Sequence, residues 1–233
     1  QNAQRELENI EMLVKQKVAG IIMLAREITS ELAQVLQQLT VPVLMLGQHL
    51  QGIHSIVHDD YLAGEKLAEY ALDLGHRSFL FIGVTEKDEA VGILRKKGFT
   101  DVVAQREGTK MAFIETSFSR SETYQKARSF LKKNQATFLA CATDNIAVAV
   151  LKAANELGLK VPEDFSLSGF GGYDSTDYVF PTITTTHYPY HQLGIDAVET
   201  IQKLIQQVQV PELIKLPNQL VIKQSTIPIK QIP

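Results

Sequence analysis

Apolar residues in this chain alternate between two spacings. In residues 4–17, Leu7, Ile10, Leu13 and Val14 recur at helical spacing with charged residues opposite, which predicts an amphipathic helix. Residues 18–24 follow as a short unbroken apolar run, the pattern of a strand covered on both faces. The same sequence of events then repeats. Helices are predicted over 29–39, 61–74, 88–107, 121–133, 144–157 and 191–208, with Thr29 or Ser30 as the cap of the first of these. Gly75 and Gly158 close two of them, and Gly98 is expected to interrupt 88–107. Strands are predicted over 41–46, 53–58, 78–83, 111–115, 138–142, 165–170 and 182–187, with two short ones near 213–216 and 220–223.

Strands alternating with helices of this length mean βαβ units and parallel sheets, with right-handed crossovers placing helices on both faces. There are more such units than one small sheet holds. The expected architecture is therefore α/β with two doubly wound parallel-sheet lobes. No Gly/Ser-rich linker separates them, so the lobes should be joined by short strand crossovers.

Composition narrows the classes. The chain has 233 residues, 45% hydrophobic and 21% charged, enough for a substantial core. Its 23 Lys and Arg against 26 Asp and Glu give a net charge of −3, without the basic footprint of a nucleic-acid-binding domain. The apolar run at 18–25 is far short of the roughly 20 residues that span a membrane. The single cysteine, Cys141, excludes an internal disulfide and any multi-cysteine metal site, and its place within a strand marks a buried inert thiol.

No phosphate-cradling glycine loop, nucleophile elbow or metal-binding His/Glu spacing occurs. No nucleophile, base and orienting residue can be read together, so no catalytic residue is assigned. Gly169-Phe170-Gly171-Gly172 follows a strand without opening a long helix and reads as a turn needing positive φ. Four places carry candidate binding chemistry. Asp60, in His58-Asp59-Asp60, is either a helix cap or a carboxylate that accepts two hydroxyls beyond a strand's carboxyl end. Arg95, in Arg95-Lys96-Lys97, is either on a solvated face or a rigid donor fork for vicinal hydroxyls or phosphate. Thr143 and Asp144 are either helix caps or strand-end ligand contacts. The segment His187-Tyr188-Pro189-Tyr190-His191 offers tyrosine rings either for stacking on a sugar or for packing between lobes.

Several segments together resemble the effector-binding core of LacI/GalR-type transcriptional repressors. Gly75-His76-Arg77 through Ile82-Gly83 is similar to the family's G-H-R-x-I-x-x-I-G, and Arg95-Lys96-Lys97-Gly98-Phe99 to its R-x-x-G-F. Ala142-Thr143-Asp144-Asn145 with Val161-Pro162-Glu163-Asp164 resembles its strand end, helix and V-P-x-D stretch. Pro181-Thr182-Ile183-Thr184-Thr185, then Pro189 and Gly194, resembles P-x-L-T-T with its following proline and glycine. The wording around His58-Asp59-Asp60 and Gly169 to Tyr173 is most similar to repressors of sucrose or trehalose operons.

The resemblance implies a cytoplasmic, homodimeric repressor. Two lobes of periplasmic-binding-protein type close on a small sugar or sugar phosphate, without a cofactor, metal or membrane. It implies Asp60 and Arg95 as hydroxyl-binding residues, Thr143 at a ligand position usually held by Asn, Phe118 as a stacking aromatic, and Tyr188 and Tyr190 on the hinge side. The family's sugar-binding Asp falls on Gly171 here, with Tyr173 or Asp174 as the residue to compensate. Crossovers near residues 75–77, 186–188 and 216–218 divide the lobes into 1–76 with 187–216, and 77–186 with 217–228. The family's helix-turn-helix head, which would contact operator DNA, and the strand, helix and strand that open its core before the helix matching 4–17 have no counterpart here, as expected of part of a longer chain. The helix over 147–157 and the segment after Tyr173 are the expected dimer surfaces. The rival readings are a transport-type sugar-binding protein and an α/β enzyme acting on sugars.

Overall fold

A computed structural model of the chain describes residues 3–25 and 27–229. It forms two compact units. The smaller takes the chain up to Asp59 together with Pro189–Pro217, and the larger takes Asp60–Tyr188 together with the chain from Asn218 on. Both are α/β, with parallel sheets flanked by helices.

In the smaller unit, α1 (Ala3–Lys15), β1 (Ile21–Leu24), α2 (Ser30–Gln38), β2 (Val43–Leu46) and β3 (His54–His58) follow one another. The Thr29 hydroxyl accepts from Leu32 N at 3.1 Å and starts α2 as its sequence predicts. The sheet is parallel, in the order β1-β2-β3-β9, with β9 spanning Leu213–Leu216. One face of it buries Leu44, Ile56 and Leu216 against Leu193, Ala197 and Ile201 of the helix spanning Tyr190–Ile205.

The larger unit begins with α3 (Asp60–Asp73) and β4 (Ser78–Gly83). A π-helical turn, Glu89–Leu94, runs directly into α4 (Arg95–Ala104). Then come β5 (Lys110–Glu115), α5 (Arg120–Phe130), β6 (Phe138–Cys141), α6 (Asp144–Glu156), β7 (Ser166–Gly171) and β8 (Thr184–His187). The helix Tyr190–Ile205 of the smaller unit is α7, and β10 (Gln219–Val221) closes the larger sheet. Its order is β10-β8-β7-β6-β4-β5, parallel except for the edge strand β10. Phe79, Phe81, Phe99 and Phe138 fill its core, with ring centroids 5.6–6.4 Å apart among Phe79, Phe99 and Phe138.

Two expectations are corrected. The first crossover falls at residues 59/60 rather than near 75–77, so residues 60–76 belong to the larger unit. The reason is the contact between α3 and α4. A Cβ on Gly64 would overlap the Arg95 carbonyl oxygen, and one on Gly98 would overlap the Tyr61 carbonyl oxygen. Two glycines thus let the helix backbones touch and tie α3 to α4. The same contact explains Gly98, which lies inside a continuous α4 instead of interrupting a helix. The irregularity sits earlier, in the π-helical turn, which Asp88 caps by accepting from Val91 N at 3.0 Å.

Candidate functional site

Parallel α/β sheets gather loop residues at the carboxyl ends of their strands, where ligands of such sheets bind. In the larger unit those ends carry most of the candidate residues. Asp60 and Arg95 come together there, although 35 positions separate them in sequence. Arg95 Nε donates to Asp60 Oδ1 at 2.7 Å, and the Tyr188 hydroxyl donates to the same oxygen at 2.7 Å. Arg95 Nη1 donates to the carbonyl oxygen of Ala142, just past β6, at 2.7 Å. The guanidinium carbon lies 5.5 Å from the Phe170 ring centre and 5.0 Å from that of Tyr188. All three residues are buried. Asp60 and Tyr188 are the first and last residues of the unit's main segment. One carboxylate oxygen therefore joins the two ends of that segment, and Arg95 ties them to β6 and β7.

This changes the roles expected from sequence. Asp60 is no simple cap, since its carboxylate oxygen takes two donors from within the unit. Arg95 points inward, unlike its neighbours Lys96 and Lys97, which pair with Glu86 and Asp101 at the surface.

Thr143 caps α6, its hydroxyl oxygen accepting from Ile146 N at 3.3 Å. Asp144 is fully buried. Its Oδ1 accepts from the Thr185 hydroxyl at 2.6 Å and its Oδ2 from Tyr173 N at 2.8 Å. Burial raises its pKa, partly opposed by the Thr185 hydroxyl and the backbone N–H groups of Tyr173 and Gly172. Both oxygens are thus engaged within the unit, where this carboxylate shapes the turn after β7. Gly169 makes room for it, because a Cβ there would overlap Asp144 Oδ1. Cys141 is buried, and burial pushes its thiol pKa up.

Tyr173 is exposed and follows Gly171 and Gly172, whose φ values of 138° and 72° favour glycine. Phe118 is half-buried against the core of the larger unit. Tyr190 belongs to the smaller unit, where it opens α7 and meets the buried His58 ring edge-on, with centroids 5.4 Å apart.

Sequence reasoning named Gly169 and Phe170 only within a glycine turn and Thr185 only within a longer motif, and it missed their part as partners of Asp144 and Arg95. No local signal links them to residues so distant in sequence. A cavity of about 410 Å³ lies at the opposite end of the larger sheet, by the amino ends of β4 and β5, lined by Phe79, Met111, Phe130 and Lys110 among others. It holds none of the candidate residues. Among the described residues, no group of three or more His, Cys, Asp or Glu could hold a metal ion. Among them, too, no helix is long and apolar enough to cross a membrane.

Comparison with known proteins agrees with this fold. A sucrose operon repressor from Staphylococcus xylosus is 33% identical over 211 residues, covering 88% of this chain and 64% of that protein. An arabinose metabolism transcriptional repressor from Geobacillus stearothermophilus is 26% identical, covering 96% of this chain and 65% of that protein. The chain thus spans somewhat less than two thirds of the length of these relatives. A LacI family transcriptional regulator from Enterococcus faecalis, solved with bound ribose, superposes with a TM-score of 0.84 at 28% identity, covering 97% of this chain and 84% of that one. Residues 68–226 match the family described as periplasmic binding protein-like domain. That match takes in more than half of the sequence and nearly all of the larger unit, and the chain belongs to the periplasmic binding protein-like family.

Proposed function

We propose that the chain is the effector-binding part of a transcriptional repressor that responds to a small sugar, held at the carboxyl ends of the larger unit's strands. The observation that carries this is the 33% identity with a sucrose operon repressor over 88% of the chain. The effector class is sucrose or a related saccharide, free or phosphorylated. Thr143, Tyr173 and Phe118 are the contact residues in this reading. Asp60, Arg95 and Tyr188 keep the strand ends in register beneath them, and Asp144 sets the turn that carries Tyr173.

Binding acts through a difference in affinity. A sugar that binds one conformation of the protein more tightly than another shifts the balance between them by that difference and no more. In the whole protein the shifted balance changes the affinity for operator DNA. With a net charge of −3, these 233 residues contribute no broad basic surface of their own to that contact. The protein acts in the cytoplasm as a homodimer, without catalysis or cofactor. The exposed Tyr178 and Phe180, with Val148 and Leu151 of α6 lining the groove beside Phe180, form the apolar surface on which two copies would meet.

A thermal-shift screen with sucrose, fructose, trehalose, maltose and the corresponding 6-phosphates tests the reading. A ligand at 100 times its Kd stabilises the folded state by about 2.7 kcal/mol, a rise of several degrees. At least one sugar of the panel should produce it. A flat response to all of them overturns the assignment to this sugar class.

A further inference from the structure

We propose that Tyr173 reads the ring face of a bound cyclic saccharide, on a seat that Gly171 leaves open and Asp144 holds in place. This rests on the sugar-binding reading above and goes further, assigning the residue that selects for a closed ring.

The geometry begins with Gly171. A Cβ at that position would stand 3.1 Å and 3.2 Å from Cε1 and Cζ of the Tyr173 ring. Carbon atoms in good contact stay roughly 3.5–4.0 Å apart. One edge of the tyrosine ring therefore enters the volume that any side chain at 171 would need, beside Asp144 Oδ2. The absence of a side chain at Gly171 is what brings the ring there.

The ring's anchorage is rigid. Tyr173 N donates to Asp144 Oδ2, Gly172 N donates to the Thr185 hydroxyl at 3.2 Å, and the Thr185 hydroxyl donates to Asp144 Oδ1. Asp144 and Thr185 are buried, while the Tyr173 side chain is exposed. An exposed aromatic ring held by a buried hydrogen-bonded turn is preorganised: ordering it again on binding costs little. Asp144 turns both oxygens inward to this turn, so it shapes the site. Thr143 precedes it, and its hydroxyl can still donate a proton while accepting from Ile146 N.

At this strand end the protein thus presents an aromatic surface and a hydroxyl donor. An aromatic face suits a partner with a patch of C–H groups on one side, which a furanose or pyranose ring has and an extended polyol does not. Asp144 is a positioning residue here, and Tyr173 is the one that touches the sugar.

Calorimetric titration of the wild type, Tyr173→Ala and Tyr173→Phe with sucrose, fructose, their 6-phosphates and mannitol tests this. With Tyr173 39% exposed, both variants should keep the wild-type circular dichroism, and Tyr173→Ala should lower Tm by no more than a few degrees. The wild type should bind a cyclic sugar more tightly than mannitol. Tyr173→Ala should weaken that binding about tenfold, and Tyr173→Phe should stay within about threefold of wild type. Wild-type affinity in Tyr173→Ala overturns the inference alone. So does a Phe variant as weak as the Ala variant, which would assign the effect to the hydroxyl, and so does mannitol binding as tightly as the rings. A wild type that binds none of the sugars overturns the sugar-binding reading and this inference together.

Discussion

The cluster of Asp60, Arg95 and Tyr188 makes a quantitative prediction. The Asp60 and Arg95 side chains are 3% and 8% exposed, and their contact is 2.7 Å. At an effective dielectric near 20, a charge pair at that distance attracts by about 6 kcal/mol, most of it offset by the loss of hydration. Replacing Asp60 by Ala leaves the guanidinium buried without its carboxylate, which costs about 3–5 kcal/mol. Tyr188→Phe removes one hydrogen bond to a charged acceptor, costing about 1.5–3 kcal/mol. The two effects share one oxygen, so they cannot add. Once Asp60 is gone the Tyr188 hydroxyl has already lost its acceptor, and the double variant should cost about as much as Asp60→Ala alone. Thermal and urea unfolding of the four proteins measures this. For a unit of this size, Asp60→Ala should lower Tm by roughly 6–20 °C. Removal of the exposed Lys152–Glu156 pair serves as a control and should leave Tm unchanged. Additive single effects would refute the shared-acceptor geometry, and a loss below about 1 kcal/mol for Asp60→Ala would refute burial of the pair.

Two further predictions concern the frame around the site. Gly98→Ala should destabilise by about 1–3 kcal/mol through overpacking against Tyr61, and by displacing α4 it should also weaken sugar binding; a variant as stable as wild type, seen by urea midpoint, would mean that α3 and α4 do not touch. His76 is buried between Thr137 and the Ile227 carbonyl, at 2.9 Å and 3.0 Å, and burial lowers its pKa from 6.5. Above that value folded and unfolded chains are both neutral at this residue; as pH falls through it, the unfolded chain takes up a proton that the folded chain resists, so stability declines toward the lowered folded pKa. The urea midpoint should therefore fall between pH 7.5 and 5. The decline should be smaller in His76→Gln, whose amide can meet both partners, and equal declines would remove His76 from the effect.

Much of the fold was legible because its signals are local. The strand at Ser78–Gly83 begins and ends where its apolar run does, and Thr29 caps α2 as its type and place require. The misread points depend on contacts distant in sequence. Gly98 resembles a helix breaker until Tyr61 is brought against it. Residues 60–76 follow a strand of the smaller unit in the chain, yet pack with the larger one. The same division holds at the site. Asp60 and Arg95 could be named one at a time, but their ion pair joins residues on different helices. Thr143 follows the local capping rule. Asp144, one position later, breaks it because Thr185 and Tyr173 claim both its oxygens. Gly171 looked like a missing ligand residue, and only its spacing from the Tyr173 ring shows what the absent side chain allows.

The most direct test of the central claim is a crystal structure of this chain with the sugar that gives the largest thermal shift. The account predicts the sugar at the carboxyl ends of β6 and β7, with its ring against Tyr173 and a hydroxyl at Thr143. A sugar seated instead at the amino ends of β4 and β5, in the cavity beside Met111 and Phe130, would contradict it.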